Sequence, residues 1–168
     1  MADIMRDAQK RIEDIRRRTV KIVVRRDGSP VPDAQVELRM NRHQFLFGCD
    51  CYCANTYDTP EKEKRHKELF SGLFNYATLP FYWGQYEPVR GEKSEKRLSN
   101  MVEWCKSIDL STKGHPLVWH EILPDWLNSD HDIEKLIQER IEDLMERFGD
   151  QIDYWDLFNE ITVSQRFH

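Results

Sequence analysis

Apolar residues fall at Ile4, Ala8, Ile12 and Ile15, a spacing that predicts an amphipathic helix within residues 1–18. The period then changes. Val20, Ile22 and Val24 alternate with Lys21 and Arg25, and Val36, Leu38 and Met40 alternate with Glu37 and Arg39. This two-residue period predicts a β-hairpin appendage over 19–42. Asp27–Gly28, Pro30 and Pro32 mark its turn, and the loop is expected to exceed two residues.

From "QFLFGC" at 44–49 the chain alternates short apolar runs with helical patterns, which signals βα units and a parallel sheet over 43–168. Thr59 and Pro60 suit the cap and first position of a helix with Leu69, Phe70, Leu73 and Phe74 on its apolar side. An apolar run at 76–83, "YATLPFYW", follows as the second strand. The next helix carries Leu98, Met101, Val102, Cys105 and Ile108. A third, expected to be capped at Ser129 or Asp130 and stopped by Gly149, carries Ile133, Leu136, Ile137, Ile141, Leu144 and Phe148. With "GHPLVWH" at 114–120 and "YWDLFNE" at 154–160 this makes four strands and three helices, ordered βαβαβαβ.

Composition adds mostly exclusions. At 168 residues, 39 % of them hydrophobic, the chain suits one globular domain. Its formal charge is 25 − 30 = −5 and its basic residues are scattered, which argues against nucleic acid as a partner. No stretch approaches the ~18 uninterrupted apolar residues of a membrane span. The start "MADIMRDAQKRIEDIRRR" has no apolar core of a signal peptide, so the chain as written is expected in the cytoplasm, or outside the cell as a piece of a larger secreted protein. The run "CDCYC" at 49–53 would put Cys49, Cys51 and Cys53 on one face of a strand. Neither Cys105 nor any His completes a zinc spacing with them, so they are read as unpaired thiols.

Polar residues gather at the C-terminal ends of the last two runs: His115 and His120 around Trp119, then Asn159 and Glu160. Strand C-termini are where parallel α/β folds build their sites. A lone His or Glu there is usually a satisfied core histidine or a solvated acid, whereas several together beside a Trp favour a site. Trp and Tyr beside carboxylates and amides suit a sugar, with its apolar ring faces and hydroxyl rim. Glu160 would be the acid: a partly buried Glu near a second carboxylate has the raised pKa needed to protonate a glycosidic oxygen. Asn159 could bond a sugar hydroxyl, and Asp156, on the same strand parity, is either part of the site or structural.

"GHPLVWHEILPDWL" followed some forty residues later by "WDLFNE" resembles glycoside hydrolase family 10, typically endo-1,4-β-xylanases, whose motifs read Gly-His-Thr-Leu-Val-Trp-His and Trp-Asp-Val-Val-Asn-Glu. The resemblance covers about Phe45 to Glu160. It implies a partial (β/α)8 TIM barrel of about four βα units behind the helix and hairpin. It also implies retaining hydrolysis of β-1,4 bonds in a xylan-like polysaccharide or oligosaccharide. In that reading Glu160 is the general acid/base, Asn159 meets the 2-hydroxyl, His115 and Trp119 line the subsite, and His120 supports it. No organic cofactor and no catalytic metal are implied. The family's nucleophile Glu lies on a seventh barrel strand that this chain lacks, so the chain is expected to be an inactive half-barrel that self-associates through its exposed edges. The second strand departs from the family: Trp83 aligns and is expected to bind substrate, but Leu79, Pro80, Phe81 and Tyr82 stand where the family has an acidic-amide pair and a Lys. Trp83 and Tyr82 could still offer a stacking surface. Two alternatives remain: a non-catalytic carbohydrate-binding protein, and a metal or redox module built on the cysteine run.

Overall fold

The computed structural model of the protein describes residues 2–42, 44–128 and 130–162. The chain divides into two compact units, Met1–Asn41 and Arg42–His168. In the first, helix α1 runs Ala2–Arg16, as its spacing predicts. The hairpin is much shorter than expected: β1 (Arg25–Arg26) pairs antiparallel with β2 (Ser29–Pro30), and the alternating residues beyond form no extended ladder. Its loop is two residues, not longer. Asp27 (φ 49°) and Gly28 (φ 80°) both sit in the left-handed region, as a type I′ turn requires. Beyond Pro30 one more hydrogen bond forms, Val31 N donating to Val24 O at 2.9 Å, and Asp33 (φ 55°) then turns the chain again.

The second unit holds a four-stranded parallel sheet in sequential order: β3 (Gly48–Asp50), β4 (Tyr76–Pro80), β5 (Ser111–His115) and β6 (Tyr154–Trp155). Helices α2 (Pro60–Leu73), α4 (Glu95–Ser107) and α5 (Ile133–Phe148) link successive strands. Thr59 Oγ1 caps α2 by accepting from Lys62 N at 3.3 Å, with Pro60 in the first turn. The cap of α5 is neither Asp130 nor Ser129, which lies outside the described residues: Asp132 accepts from Lys135 N at 3.1 Å. Gly149 ends α5 in right-handed geometry and passes straight into a 3-10 turn, Gly149–Gln151.

The side-chain period of two divides the sheet's faces. Ala77, Leu79 and Phe81 are buried with Phe70, Leu98, Met101, Val102, Cys105, Leu144 and Phe148 of the helices. Tyr76, Lys113, Tyr154 and Asp156 share the other face: the Tyr76 and Tyr154 rings meet edge-on at 6.1 Å, and Lys113 Nζ pairs with Asp156 at 2.8 Å.

Three strands end sooner than their apolar runs suggest, β6 among them at Trp155. After Pro80 the chain enters a one-turn helix, α3 (Trp83–Tyr86), where Gly84 passes so close to the backbone that a Cβ would lie 2.8 Å from Leu123 O. The third strand starts earlier, at Ser111, and is interrupted at Pro116. The β5–β6 register pairs Gly114 with Trp155 and resumes at a single bridge, Val118 with Phe158. Three residues, 115–117, therefore oppose two, 156–157, which makes a one-residue bulge. Leu117 N donating to Asp156 O at 2.9 Å and Val118 N to Leu157 O at 3.0 Å hold it. Arg140 of α5, 6 % exposed, braces this end of the sheet by donating to the carbonyls of Leu117 (2.7 Å) and Phe81. Burial pulls its pKa down to about 10, still charged at neutral pH.

The cysteine run is not one strand face. The strand stops at Asp50, Cys51 is buried, and Cys49 and Cys53 are exposed. Burial pushes the Cys51 and Cys105 thiols up to about 12, so both stay protonated and unreactive at neutral pH. Among the described residues no three His, Cys, Asp or Glu side chains are grouped to hold a metal ion, and no helix is long and apolar enough to cross a membrane.

Candidate active site

Four segments leave the C-terminal ends of the parallel strands side by side, and each brings a polar or aromatic side chain with it. Trp119, beyond β5, donates its indole N–H to Glu160 Oε2, beyond β6, at 3.1 Å. His115, the last residue of β5, donates from Nδ1 to Asp156 Oδ2 at 2.7 Å, and Lys113 meets the same oxygen. Burial alone would raise the Asp156 carboxyl, but the hydrogen bonds from Lys113 and His115 outweigh it and hold the pKa below the usual carboxylate range. Its bond to Asp156 raises the Lys113 ammonium in turn. The imidazole of His115 is thus fixed through one nitrogen by a carboxylate that is ionised at neutral pH.

Aromatic rings line the same mouth. Tyr82, two residues past β4, packs edge-on to His115 at 5.6 Å and tilted to Trp119 at 5.6 Å. Its hydroxyl lies 3.1 Å from that of Tyr52, beyond β3, and the two rings meet edge-on at 5.6 Å. Burial and the bond to Tyr82 push the Tyr52 phenol above its ordinary pKa, so it is a neutral hydroxyl at neutral pH.

Of the residues singled out from the sequence, His115, Trp119 and Glu160 come together here. Asn159 joins the strand ends through its backbone, donating to Val118 O at 3.0 Å. His120 is 5 % exposed, with Nε2 3.0 Å from Glu121 Oε1, and so stands behind the row. Glu160 is exposed rather than partly buried, on a backbone with φ 54°. Trp83 is not brought to this mouth. It is 2 % exposed, bonded through Nε1 to Glu87 at 3.2 Å and packed on Trp126 and Arg140. Its parity is that of Ala77, Leu79 and Phe81, the buried face of β4, and it stays buried through the turn after Pro80. Tyr52 and Lys113 went unsingled in the sequence. Lys113 had a signal, the shared parity with His115, while Tyr52 was hidden inside the cysteine run.

A profile of glycosyl hydrolase family 10 matches residues 41–167. The chain belongs to glycosyl hydrolase family 10. The anti-sigma-I factor RsgI6 of Acetivibrio thermocellus is 27 % identical over 167 residues, 95 % of this chain and 21 % of that protein. Endo-1,4-beta-xylanase 2 of Arabidopsis thaliana is 24 % identical over 143 residues, 80 % of this chain and 13 % of that one. Xylanase 10B of Thermotoga maritima superposes with a TM-score of 0.60 at 23 % identity, over 70 % of this chain and 37 % of the enzyme. The chain therefore spans little more than a third of these relatives at most. In fold it is α/β, a partial (β/α)8 barrel with four consecutive strands of the family's barrel in order.

Proposed function

We propose that these residues form the acid/base half of a retaining glycosidase site that cuts β-1,4 bonds in a xylan-like chain. The observation that carries this is the Trp119–Glu160 hydrogen bond at the strand C-termini, the end at which barrels of this type do their chemistry. In this reading Glu160 protonates the departing glycosidic oxygen and later removes the proton from the attacking water. The indole N–H of Trp119 orients the carboxyl. Asp156 and Lys113 position His115 for a sugar hydroxyl, Asn159 meets the 2-hydroxyl, and His120 backs the row. Trp83, buried elsewhere, has no part in it. A retaining mechanism needs a second carboxyl ~5–5.5 Å from the first. Asp156 is committed to Lys113 and His115, so the nucleophile is assigned to residues outside these 168.

Two assays test the proposal. In a polypeptide that carries these residues together with the nucleophile, Glu160→Ala should slow xylan by roughly 10²–10⁴. An activated aryl β-xyloside should keep a fast first step, since its leaving group needs little protonation. Equal losses on both substrates would remove Glu160 from the role. The 168 residues alone should hydrolyse neither, and activity that Glu160→Gln abolishes would refute the assignment of the nucleophile elsewhere.

A further inference from the structure

Away from the mouth, a cavity of about 120 Å³ opens between α3, the chain around Trp126, and α5. Its lining runs from the buried Trp83, Tyr86 and Arg140 to the half-buried Trp126 and the exposed Arg90, whose guanidinium lies over the Trp126 ring at 5.5 Å. Two buried polar atoms in this lining have no hydrogen-bond partner: Arg140 Nη1 and the Tyr86 hydroxyl. The rest of the guanidinium is committed, Nε to Leu117 O and Nη2 to Phe81 O, and both acceptors are neutral carbonyls. Its central carbon lies 5.3 Å from the middle of the Trp83 ring and 5.5 Å from that of Tyr86.

The neighbouring acids are already engaged. Asp143 pairs with Lys93 and with Arg147, each at 2.8 Å, and Glu87 accepts from Trp83 Nε1 at 3.2 Å and from Gly91 N at 2.7 Å. Among the described residues no carboxylate pairs with Arg140, although it is charged at neutral pH. A buried cation without a counter-charge is destabilising, and an unpartnered hydroxyl beside it adds to that.

We infer that this cavity is a binding site for a small carboxylate whose oxygens accept from Arg140 Nη1 and the Tyr86 hydroxyl. The site is separate from the glycosidase reading and does not depend on it. Water bridging the two atoms would satisfy their hydrogen bonds but not the charge. The volume is well above the ~10–15 Å³ that one water needs, so a carboxyl group with a small body fits. Glu87, Glu139 and Asp143 also line the cavity and would repel a second negative charge, which favours a monoanion over phosphate. The face of Trp126 offers an apolar surface to the body of the ligand.

Calorimetric titration of the 168-residue chain with sodium acetate, sodium glucuronate, glucuronamide and sodium phosphate, at constant ionic strength, tests this. At least one of the two carboxylates should bind saturably and raise Tm. Tyr86→Phe should weaken that carboxylate about tenfold, through the loss of one hydrogen bond to a charged group, while leaving the ligand-free Tm unchanged or higher because an unpartnered buried hydroxyl is gone. Arg140→Met should abolish carboxylate binding, but Arg140 also braces the strand ends, so Tyr86→Phe is the deciding variant. Acetate binding as tightly as glucuronate supports the site as one for a free small acid. Glucuronate binding at least tenfold more tightly supports a sugar acid with its ring on Trp126. Phosphate binding more tightly than both carboxylates, glucuronamide matching glucuronate, unchanged affinity in Tyr86→Phe, or binding of neither carboxylate overturns the inference.

Discussion

Replacing Gly114 by alanine puts a methyl group into the ring of Trp155. An ideal Cβ at Gly114 lies 2.3 Å from two ring carbons of Trp155 and 2.9 Å from a third, whereas ordinary contact begins at 3.4 Å. The ring must give by 3.4 − 2.3 = 1.1 Å. It has little room: Trp155 packs on Phe81 at 4.8 Å, Phe81 is fully buried, and Phe81 in turn meets Phe148 at 5.3 Å. Overpacking of this kind costs about 1–3 kcal/mol. The entropy that alanine removes from the unfolded chain returns only about 0.4–1 kcal/mol. The expected net effect is a loss of about 1–2 kcal/mol, or roughly 2–8 °C in Tm for a chain of this size. Urea denaturation of Gly114→Ala, Trp155→Leu and the double variant measures it as a cycle. The smaller leucine should make room for the methyl, so the double variant should be more stable than the sum of the singles by about 1 kcal/mol or more. A Gly114→Ala chain as stable as the original, or strict additivity, would refute the steric argument.

Two further expectations concern charge and assembly. Because the folded Asp156 carboxyl titrates below its unfolded value, it contributes stability that is fully present above about pH 4 and lost as pH falls through the folded pKa. The Tm gap between the original chain and Asp156→Asn should thus be widest near neutrality and close on acidification, and a gap that stays constant down to pH 2.5 would contradict this. The sheet's outer strands, β3 and β6, carry exposed apolar neighbours, Phe45, Phe47, Leu69 and Leu73 near one and Leu157, Phe158 and Ile161 near the other. Sedimentation of the 168-residue chain should show concentration-dependent association, and a monodisperse monomer with a sharp cooperative melt would overturn that.

The barrel units were legible because each helix carries its own period and its own punctuation. Thr59–Pro60 reads as a start in any context, and Phe70, Leu98, Met101 and Leu144 fall on core faces at the spacing a helix needs. What the pattern hid is tertiary. "YATLPFYW" is apolar throughout, so nothing local told Trp83 to leave the strand direction at a tight turn and bury itself beside Arg140. Ser111–Lys113 looked too polar for a strand, yet Lys113 is neutralised by Asp156, forty-three positions further on. The hairpin failed for the opposite reason: its alternation is real, but with those side chains exposed no core rewards extending the ladder. At the site, the paired motifs announced His115, Trp119 and Glu160, while Tyr52 had no local mark and became visible only once the strands lay side by side.

The bulge around Pro116 separates two kinds of change that a sequence comparison would treat alike. Residues 115–117 span the distance that 156–157 span on the neighbouring strand. A substitution at Pro116 leaves that count intact, and the chain beyond it can still resume its pairing at Val118. Deleting one of the three evens the count, so a regular ladder can run from Gly114 to Val118 with the register beyond it unchanged. Inserting one has no such remedy: the bulge must grow or the register must slip, and a slip by one turns every following side chain to the other face. Length in this segment is therefore constrained upward more tightly than downward, and variants that lengthen it by one should lose Trp119's contacts with Tyr82 and Glu160 together.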